Sequence, residues 1–243
     1  MSVPNPLVTV IVTVYNGEEF LADAIRSILA QKYEPVDLLV VDDGSTDGTA
    51  EIARGFGSSL RYHCVDNCGI AAVRNHALDL VKGDLIAFLD ADDLWPPDKL
   101  SIQVAHLTEH PEVQYSITRM KYFLQKGARV PKSFREELLH GDHVGRIVST
   151  LLSRRSVFET VGKFNPELAP ADDVDWFTRA ADLEVPMAIL PDVLLHKRVH
   201  GTNVSHQAEL NNVALLKLFR QSIQRKRQGL GEEIPASEAA HKG

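Results

Sequence analysis

Three short apolar runs set the rhythm of the first half of the chain: residues 7–14 (LVTVIVTV), 36–41 (VDLLVV) and 85–89 (LIAFL). The first is β-branched and nearly continuous, the pattern of a strand buried on both faces. Between the first two runs, Phe20, Leu21, Ala24, Ile25, Ile28 and Leu29 recur at helical spacing, so residues 18–31 predict an amphipathic helix. Residues 47–56 predict a second helix, 60–65 a short strand, and 70–81 a third helix with Arg74 and Asn75 near its start. Repeating βα units with short connections predict an α/β fold built on a parallel, doubly wound sheet.

A helix opening after Trp95-Pro96-Pro97 and reaching about His110 ends this rhythm. Beyond it, residues 113–124 and 147–153 read as strands and 154–161 as a short helix ended by Gly162. Residues 171–183 read as a helix opening on Asp172-Asp173-Val174-Asp175, and 187–190 and 193–199 as two strands. Residues 131–144 read as plain loop, with a mobile lid as the alternative. A last apolar periodicity at 209–227 (Leu210, Val213, Leu216, Leu218, Phe219, Ile223) predicts an amphipathic helix with a basic end. The preferred reading packs it on the domain with its cations at the helix C-terminus; contact with a membrane surface is the sharper alternative. Residues 229–243 are polar, the composition of a disordered tail.

The strands end in chemistry. The run at 85–89 stops at Asp90-Ala91-Asp92-Asp93, the run at 36–41 at Asp42-Asp43-Gly44-Ser45, and the first run beside Thr13 and Tyr15. In open α/β sheets, ligands bind beyond the carboxyl ends of the strands. Carboxylates crowded at one strand end repel each other unless a cation neutralises them, and oxygen donors suit Mg²⁺ or Mn²⁺. Such an ion would bridge to an anionic ligand such as a diphosphate. The plainer alternative is a solvated acidic turn capping the next helix. Neither G-x-G-x-x-G nor a Walker A lysine motif follows the first strand, which argues against a dinucleotide dehydrogenase or a P-loop ATPase.

Composition narrows the classes further. With 243 residues, 44% hydrophobic and 24% charged, the chain has ample core for one large domain. A net charge of −7 argues against nucleic acid as a partner. The two cysteines, Cys64 and Cys68, suit neither a zinc site nor a disulfide framework, so a reduced, cytoplasmic setting is expected. The start MSVPNP lacks a basic end and a signal core, and no apolar run is long enough to span a bilayer.

Six blocks together, VTVIVTVYNGEEFLADAIRSILAQ, LLVVDDGSTDGTAEIA, NCGIAAVRNHAL, GDLIAFLDADDLW, ADDVDWFTRA and RVHGTNVS, resemble the family 2 glycosyltransferases of GT-A fold. The likeness covers roughly residues 7–205. It implies a Rossmann-like, mostly parallel nucleotide-binding sheet with a mixed acceptor-side half, and an inverting transfer from a nucleotide sugar. On this pattern residues 1–112 are the nucleotide-sugar-binding half and 113–207 the acceptor-side half of one domain. The helix at 208–228 and the tail follow.

The resemblance also implies roles. Thr13 and Tyr15 flank the nucleotide base, Asp43 reads the base edge, and Arg74 contacts base or diphosphate. Asp90-Ala91-Asp92 is similar to the DxD motif, Asp90 toward the ribose and Asp92 toward the metal, Mn²⁺ or Mg²⁺. His200 falls near the metal and diphosphate. Asp172-Asp173 stands where the family commonly has Glu-Asp, which makes Asp173 the general base; the residues alone had suggested only a helix-capping acid there. UDP is the favoured nucleotide, ahead of dTDP and GDP, and the acceptor is an unidentified hydroxyl in cell-wall or polysaccharide biosynthesis.

The Q-x-x-R-W block of processive synthases is missing, which favours single addition. A polyprenyl-phosphate glycosyltransferase is the nearest alternative and would place the basic last helix peripherally at the inner face of a membrane. Two rivals of other classes are a sugar nucleotidyltransferase, whose Gly-rich loop YNGEEF does not supply, and a silent nucleotide-sugar-binding module.

Overall fold

The computed structural model describes residues 5–132 and 134–201, together with Leu218 and Ser222. Elements run β1 (Val8–Val14), α1 (Leu21–Leu29), β2 (Val36–Asp42), α2 (Thr49–Gly55), β3 (Arg61–Cys64), α3 (Ile70–Asp79) and β4 (Leu85–Asp90). Then follow α4 (Lys99–Glu109), β5 (Tyr115–Leu124), β6 (His143–Val144), β7 (Leu152–Arg154), α5 (Arg155–Val161), α6 (Asp172–Asp182) and β8 (Met187–Val199).

One sheet carries the fold, in the order β3-β2-β1-β4-β7-β5-β6, with β8 paired to β5. The first four strands are mutually parallel, and β7 joins β4 and β5 in antiparallel pairings. The sheet is therefore mixed, with its parallel half at the N-terminal side. Strand alternation sorts the core into two layers. Val8, Val10, Val12 and Val14 of β1 pack with α1, α2 and α4 through residues such as Leu21, Ile25, Ala53 and Leu100. Ile11, with Leu39 and Val41 of β2, faces α3, α5 and α6 through Val73, Phe158, Trp176 and Phe177. Both faces are covered, so the central strands need the unbroken apolar runs that mark them in the sequence.

The register aligns the strand ends. Thr13 pairs with Val41 on one side and Asp90 on the other, and Val14 pairs with Asp42. The side chains following all three strands thus emerge on one rim.

The second half departs from its sequence pattern in three places. The two strands expected at 187–190 and 193–199 are one strand, β8, whose register against β5 slips between Ile189 and Val193; Pro191 and Asp192 bulge out rather than end it. Residues 147–153 divide into a 3₁₀ turn, Val148–Thr150, and the short β7, because Thr150 turns its hydroxyl back onto the Ile147 carbonyl at 2.8 Å. The stretch 131–144 contains a 3₁₀ turn, Glu136–Leu139, and β6, which pairs with β5 through Arg119 and Met120. Of the predicted last helix, Leu218 and Ser222 are described and helical. Leu218 is buried, and the Ser222 hydroxyl donates to the Asp182 carboxylate at the end of α6, as expected for a helix packed on the domain. Its basic residues and the tail at 229–243 lie outside the described residues, and no described helix is long and apolar enough to cross a membrane.

One core residue breaks the usual rule for charge. Lys99 is wholly buried, its ammonium donating to Gln103 Oε1 and lying 4.3 Å from the centroid of the Trp95 ring, with no carboxylate bonded to it among the described residues. Burial pushes its pKa well below the ordinary lysine value. The unfolded chain therefore binds a proton that the fold resists, and stability is lost as pH falls below the unfolded lysine pKa of about 10.4. Lys99→Met is expected to raise the melting temperature at pH 7 by about 2–4 °C, roughly 1 kcal/mol. It should also flatten the stability profile between pH 7 and 10. A melting curve at each pH checks both, and a lower Tm for the variant at pH 7 would refute the account.

Candidate active site

The rim is built from two turns that lock together. The Asn16 amide donates to Ser45 Oγ, and the Thr46 amide donates to Asn16 Oδ1, each at 2.8 Å; the Gly17 amide donates to Thr49 Oγ1, also at 2.8 Å. Gly44 sits at φ +74°, and a Cβ there would lie 2.9 Å from the Asn67 amide nitrogen, so only glycine fits the turn after β2. This leaves Tyr15 standing out at the rim, 54% exposed, while Thr13 behind it is buried.

Asp42 and Asp43 point in different directions. Asp42 is wholly buried, accepting from the Ser45 amide at 2.8 Å and the Tyr62 hydroxyl at 2.7 Å, which makes it a structural clamp on the turn. Asp43 accepts from the amides of Cys68 (2.7 Å) and Gly69 (3.0 Å) and from the Cys68 thiol (3.3 Å). Burial, with the Asp43 charge beside it, pushes the Cys68 thiol pKa up, so this thiol is a hydrogen-bond donor and not a reactive thiolate.

The acids after β4 form the centre. One oxygen from each of Asp90, Asp92 and Asp93 lies within 4.8 Å of the others. They do not have equal freedom. Asp93 is wholly buried, with Lys197 Nζ at 3.0 Å on one oxygen and the Arg198 amide at 2.9 Å on the other. Asp90 meets Arg74 at 3.0 Å and Lys197 at 3.5 Å, and its amide donates to Ser149 Oγ. Asp92 Oδ2 meets His200 Nε2 at 3.0 Å. Burial pushes the Asp92 carboxyl up, but the His200 hydrogen bond and the nearby Lys197 charge outweigh it and hold the group below the usual carboxylate range. Burial pushes Asp93 up to about 7, the Lys197 charge opposing and the Asp92 and Asp90 charges adding.

β8 reaches this centre because the turn after β4 is pinned to it. Leu94 and His196 exchange amide-to-carbonyl hydrogen bonds of 3.0 and 2.9 Å, an isolated bridge that aims Lys197 and His200 at the acids. The His200 ring packs against Phe20, centroids 4.5 Å apart. Arg198 donates to the Asp92 carbonyl at 2.8 Å and lies between the Phe20 and Phe123 rings, so the strand end is fixed from both sides.

Arg74 joins this centre to a second group of acids. Only 6% exposed, it donates to Asp172 Oδ2 at 2.9 Å with one guanidinium nitrogen and to Asp90 Oδ1 at 3.0 Å with another. Residues far apart in sequence, at the end of β4 and the start of α6, are thus held by one cation. Asp173, next to Asp172, accepts only the Val174 amide (2.7 Å) among the described residues. Burial pushes its carboxyl up to about 7, the Arg74 charge opposing and the Asp172 and Asp90 charges adding. A carboxylate with that affinity for a proton suits general base catalysis near neutrality.

Thr13, Tyr15, Asp43, Arg74, Asp90, Asp92, Asp173 and His200 therefore all lie on elements that meet at one end of the sheet. Sequence reasoning had given no part to Lys197, Cys68 or Ser149. For Lys197 a signal was present: a lysine within the strand pattern VLLHKRV calls for an acidic partner, although the pattern does not say which acid supplies it.

Comparison with known proteins agrees with this architecture. The family model described as "Glycosyl transferase family 2" matches residues 9–162. An uncharacterised glycosyltransferase of Rickettsia typhi is 30% identical over 84% of this chain and 67% of its own length. The putative teichuronic acid biosynthesis glycosyltransferase TuaG of Bacillus subtilis is 37% identical over 52% of each chain. The chain spans about half to two thirds of the length of these two relatives. Among solved structures, the mannosyltransferase PcManGT of Pyrobaculum calidifontis, in complex with GDP-Man and Mn²⁺, superposes with a TM-score of 0.68 at 25% identity. That match covers 91% of this chain and 65% of PcManGT. S. aureus TarS 1–349 in complex with UDP-GlcNAc gives 0.66 at 24% identity, over 81% of this chain and 59% of that one. With the strand order, the acidic strand ends and the length matched all in agreement, the chain belongs to glycosyl transferase family 2 and has the GT-A fold.

Proposed function

We propose that this protein is an inverting, non-processive glycosyltransferase that moves a sugar from a nucleoside-diphosphate sugar, UDP-linked in the favoured reading, to an acceptor hydroxyl. The observation that carries the proposal is Arg74, which ties Asp90 of the acidic centre to Asp172 beside Asp173. Inversion needs a base on one side of the sugar and a stabilised leaving group on the other. One buried guanidinium that bonds Asp90 and the residue next to the base supports that division of labour.

In this reading Tyr15 offers its exposed ring to the nucleotide base, with Thr13 behind it. The Asp43 carboxylate, held between the amides of Cys68 and Gly69, reads the base edge. Asp90 faces the ribose. Asp173 takes the acceptor's proton, its Oδ1 being held by the Val174 amide. The oxygen-rich cluster fits a divalent ion, Mn²⁺ or Mg²⁺. Because Asp93 is committed to Lys197 and the Arg198 amide, Asp92 and His200 are the residues that would hold it. When bound, the ion supplies Lewis-acid stabilisation of the departing diphosphate. The basic last helix leaves peripheral membrane contact, and with it a polyprenyl-phosphate acceptor, as the second reading; the burial of Leu218 and the Ser222–Asp182 bond favour packing for that face.

The test is a thermal-shift screen of UDP, UDP-Glc, UDP-GlcNAc and GDP-Man, each with and without Mn²⁺, on wild type and Asp92→Ala. A ligand at a hundredfold its Kd stabilises by about 2.7 kcal/mol, about 5–10 °C for a chain of this size. The expected result is a Mn²⁺-dependent shift with one nucleotide sugar that Asp92→Ala abolishes. A shift of equal size in chelator would remove the metal from the proposal, and no shift with any donor would remove the donor site.

A further inference from the structure

Lys197 is a part-buried cation against the acidic centre, and neither the family's roles nor the proposed chemistry uses it. Its side chain is 15% exposed, and its ammonium touches Asp93 at 3.0 Å and Asp90 at 3.5 Å. Its charge is also felt by Asp92. The contact with Asp93 is built into the fold. Asp93 is wholly buried, its other oxygen is taken by the Arg198 amide, and the Leu94–His196 bridge fixes the strand that carries both residues. The ammonium therefore bridges two members of a cluster in which one oxygen from each of Asp90, Asp92 and Asp93 lies within 4.8 Å of the others.

We propose that Lys197 is the resident cation of this cluster: it neutralises Asp90 and Asp93, and so restricts divalent-ion binding to a single, weakly held ion at Asp92 and His200. The proposal rests on the reading of Asp92 as the metal ligand. Two consequences follow from charge alone. Without Lys197 three carboxylates would repel and splay, so the ammonium keeps the cluster assembled before any ion arrives. With it, an incoming dication meets a fixed positive charge a few ångströms away, which weakens its binding in a site of low effective dielectric. Asp92 and His200 alone would leave such an ion short of donors, so metal and diphosphate together would bind more readily than metal alone. Lys197 acts as a positioning residue that sets the order of binding.

Calorimetric titration with Mn²⁺ alone, with electron paramagnetic resonance of free Mn²⁺ as a second readout, tests this without any acceptor. Lys197→Met is expected to bind Mn²⁺ about tenfold or more tightly than wild type, and Lys197→Arg, which keeps the charge, is expected to match wild type. Because Lys197→Met leaves Asp93 buried without its partner, the same comparison is made between Asp93→Asn and Asp93→Asn/Lys197→Met, where the same gain is expected. Equal or weaker Mn²⁺ binding on loss of Lys197 in both backgrounds would overturn the proposal. The Asp92 metal reading is judged separately, by the donor shifts of Asp92→Ala, so failure of one is distinguishable from failure of the other.

Discussion

Asp173→Asn is expected to lose turnover by about 10²–10⁴-fold and at the same time to melt at a higher temperature than wild type at pH 8. The first half follows from the proposed role: an amide cannot take the acceptor's proton. The second follows from what the site costs the fold. Burial, with the like charges of Asp172 and Asp90, pushes the carboxyl up to about 7 against the opposing Arg74 charge, whereas in the unfolded chain it is about 3.9. The folded state therefore holds the proton more tightly than the unfolded one. The group's contribution to stability is fully present below about pH 4 and is lost as pH rises through 7. At pH 8 wild type carries an unfavourable carboxylate that asparagine does not. Allowing for solvent access at this part-buried position, the difference is about 1–2 kcal/mol, or about 3–6 °C. The same titration predicts that wild-type kcat/KM climbs about tenfold per pH unit below 7 and levels off above it. Initial rates of nucleoside diphosphate release and melting curves at pH 5 and pH 8 check the set. Wild-type turnover in Asp173→Asn would remove the base, and a lower Tm for it at pH 8 would show that the carboxylate is well solvated. Stability given up at a catalytic group is a common exchange in enzymes.

The parallel half of this fold was legible because each of its strands is buried on both faces and so must be apolar throughout. Residues 7–14, 36–41 and 85–89 announce β1, β2 and β4 within a residue at either end. The register then put Thr13 beside Asp90 and Val14 beside Asp42, bringing the three strand ends together as three runs ending in polar residues suggested. The second half was harder because its elements are short or interrupted. Pro191 and Asp192 look like a strand break, yet β8 continues past them because β5 supplies partners on both sides of the bulge. β6 is two residues long, and no periodicity can reveal it. The site divides in the same way. Its acids were visible as strand-end pairs, whereas Asp173 needed the family resemblance, since acid in a first helical turn is adequately explained by the helix dipole. What no pattern supplied was the pairing of charges. Arg74 with Asp172 spans 98 positions and Lys197 with Asp93 spans 104, distances at which sequence gives residue types but not partners.

Arg74→Ala should be among the most destabilising single substitutions in the protein, by about 3–5 kcal/mol and about 6–20 °C in Tm. The reason is the asymmetry of buried charge. Making the bridge gains little over a well-packed apolar cluster, but removing one member strands the others. Asp172 is wholly buried, and among the described residues its Oδ1 has no hydrogen-bond partner and Arg74 is the only group bonded to its side chain. Asp90 would keep Lys197 and is less exposed to the loss. Arg74→Met/Asp172→Asn, which removes the stranded charge, should therefore recover much of the stability. Arg26→Ala provides the contrast within the same fold: its partner Asp23 is a turn away on α1, both side chains are more than half exposed, and the cost should stay within about 0.5 kcal/mol. A functional signature separates this role from a direct grip on the diphosphate. Arg74 lowers the proton affinity of Asp173, so its loss should move the midpoint of the pH–rate profile upward from about 7. A residue that only held the diphosphate would raise KM and leave both Tm and the midpoint where they were. Denaturant titrations of the three variants, with pH–rate profiles for those that remain folded, decide between the two.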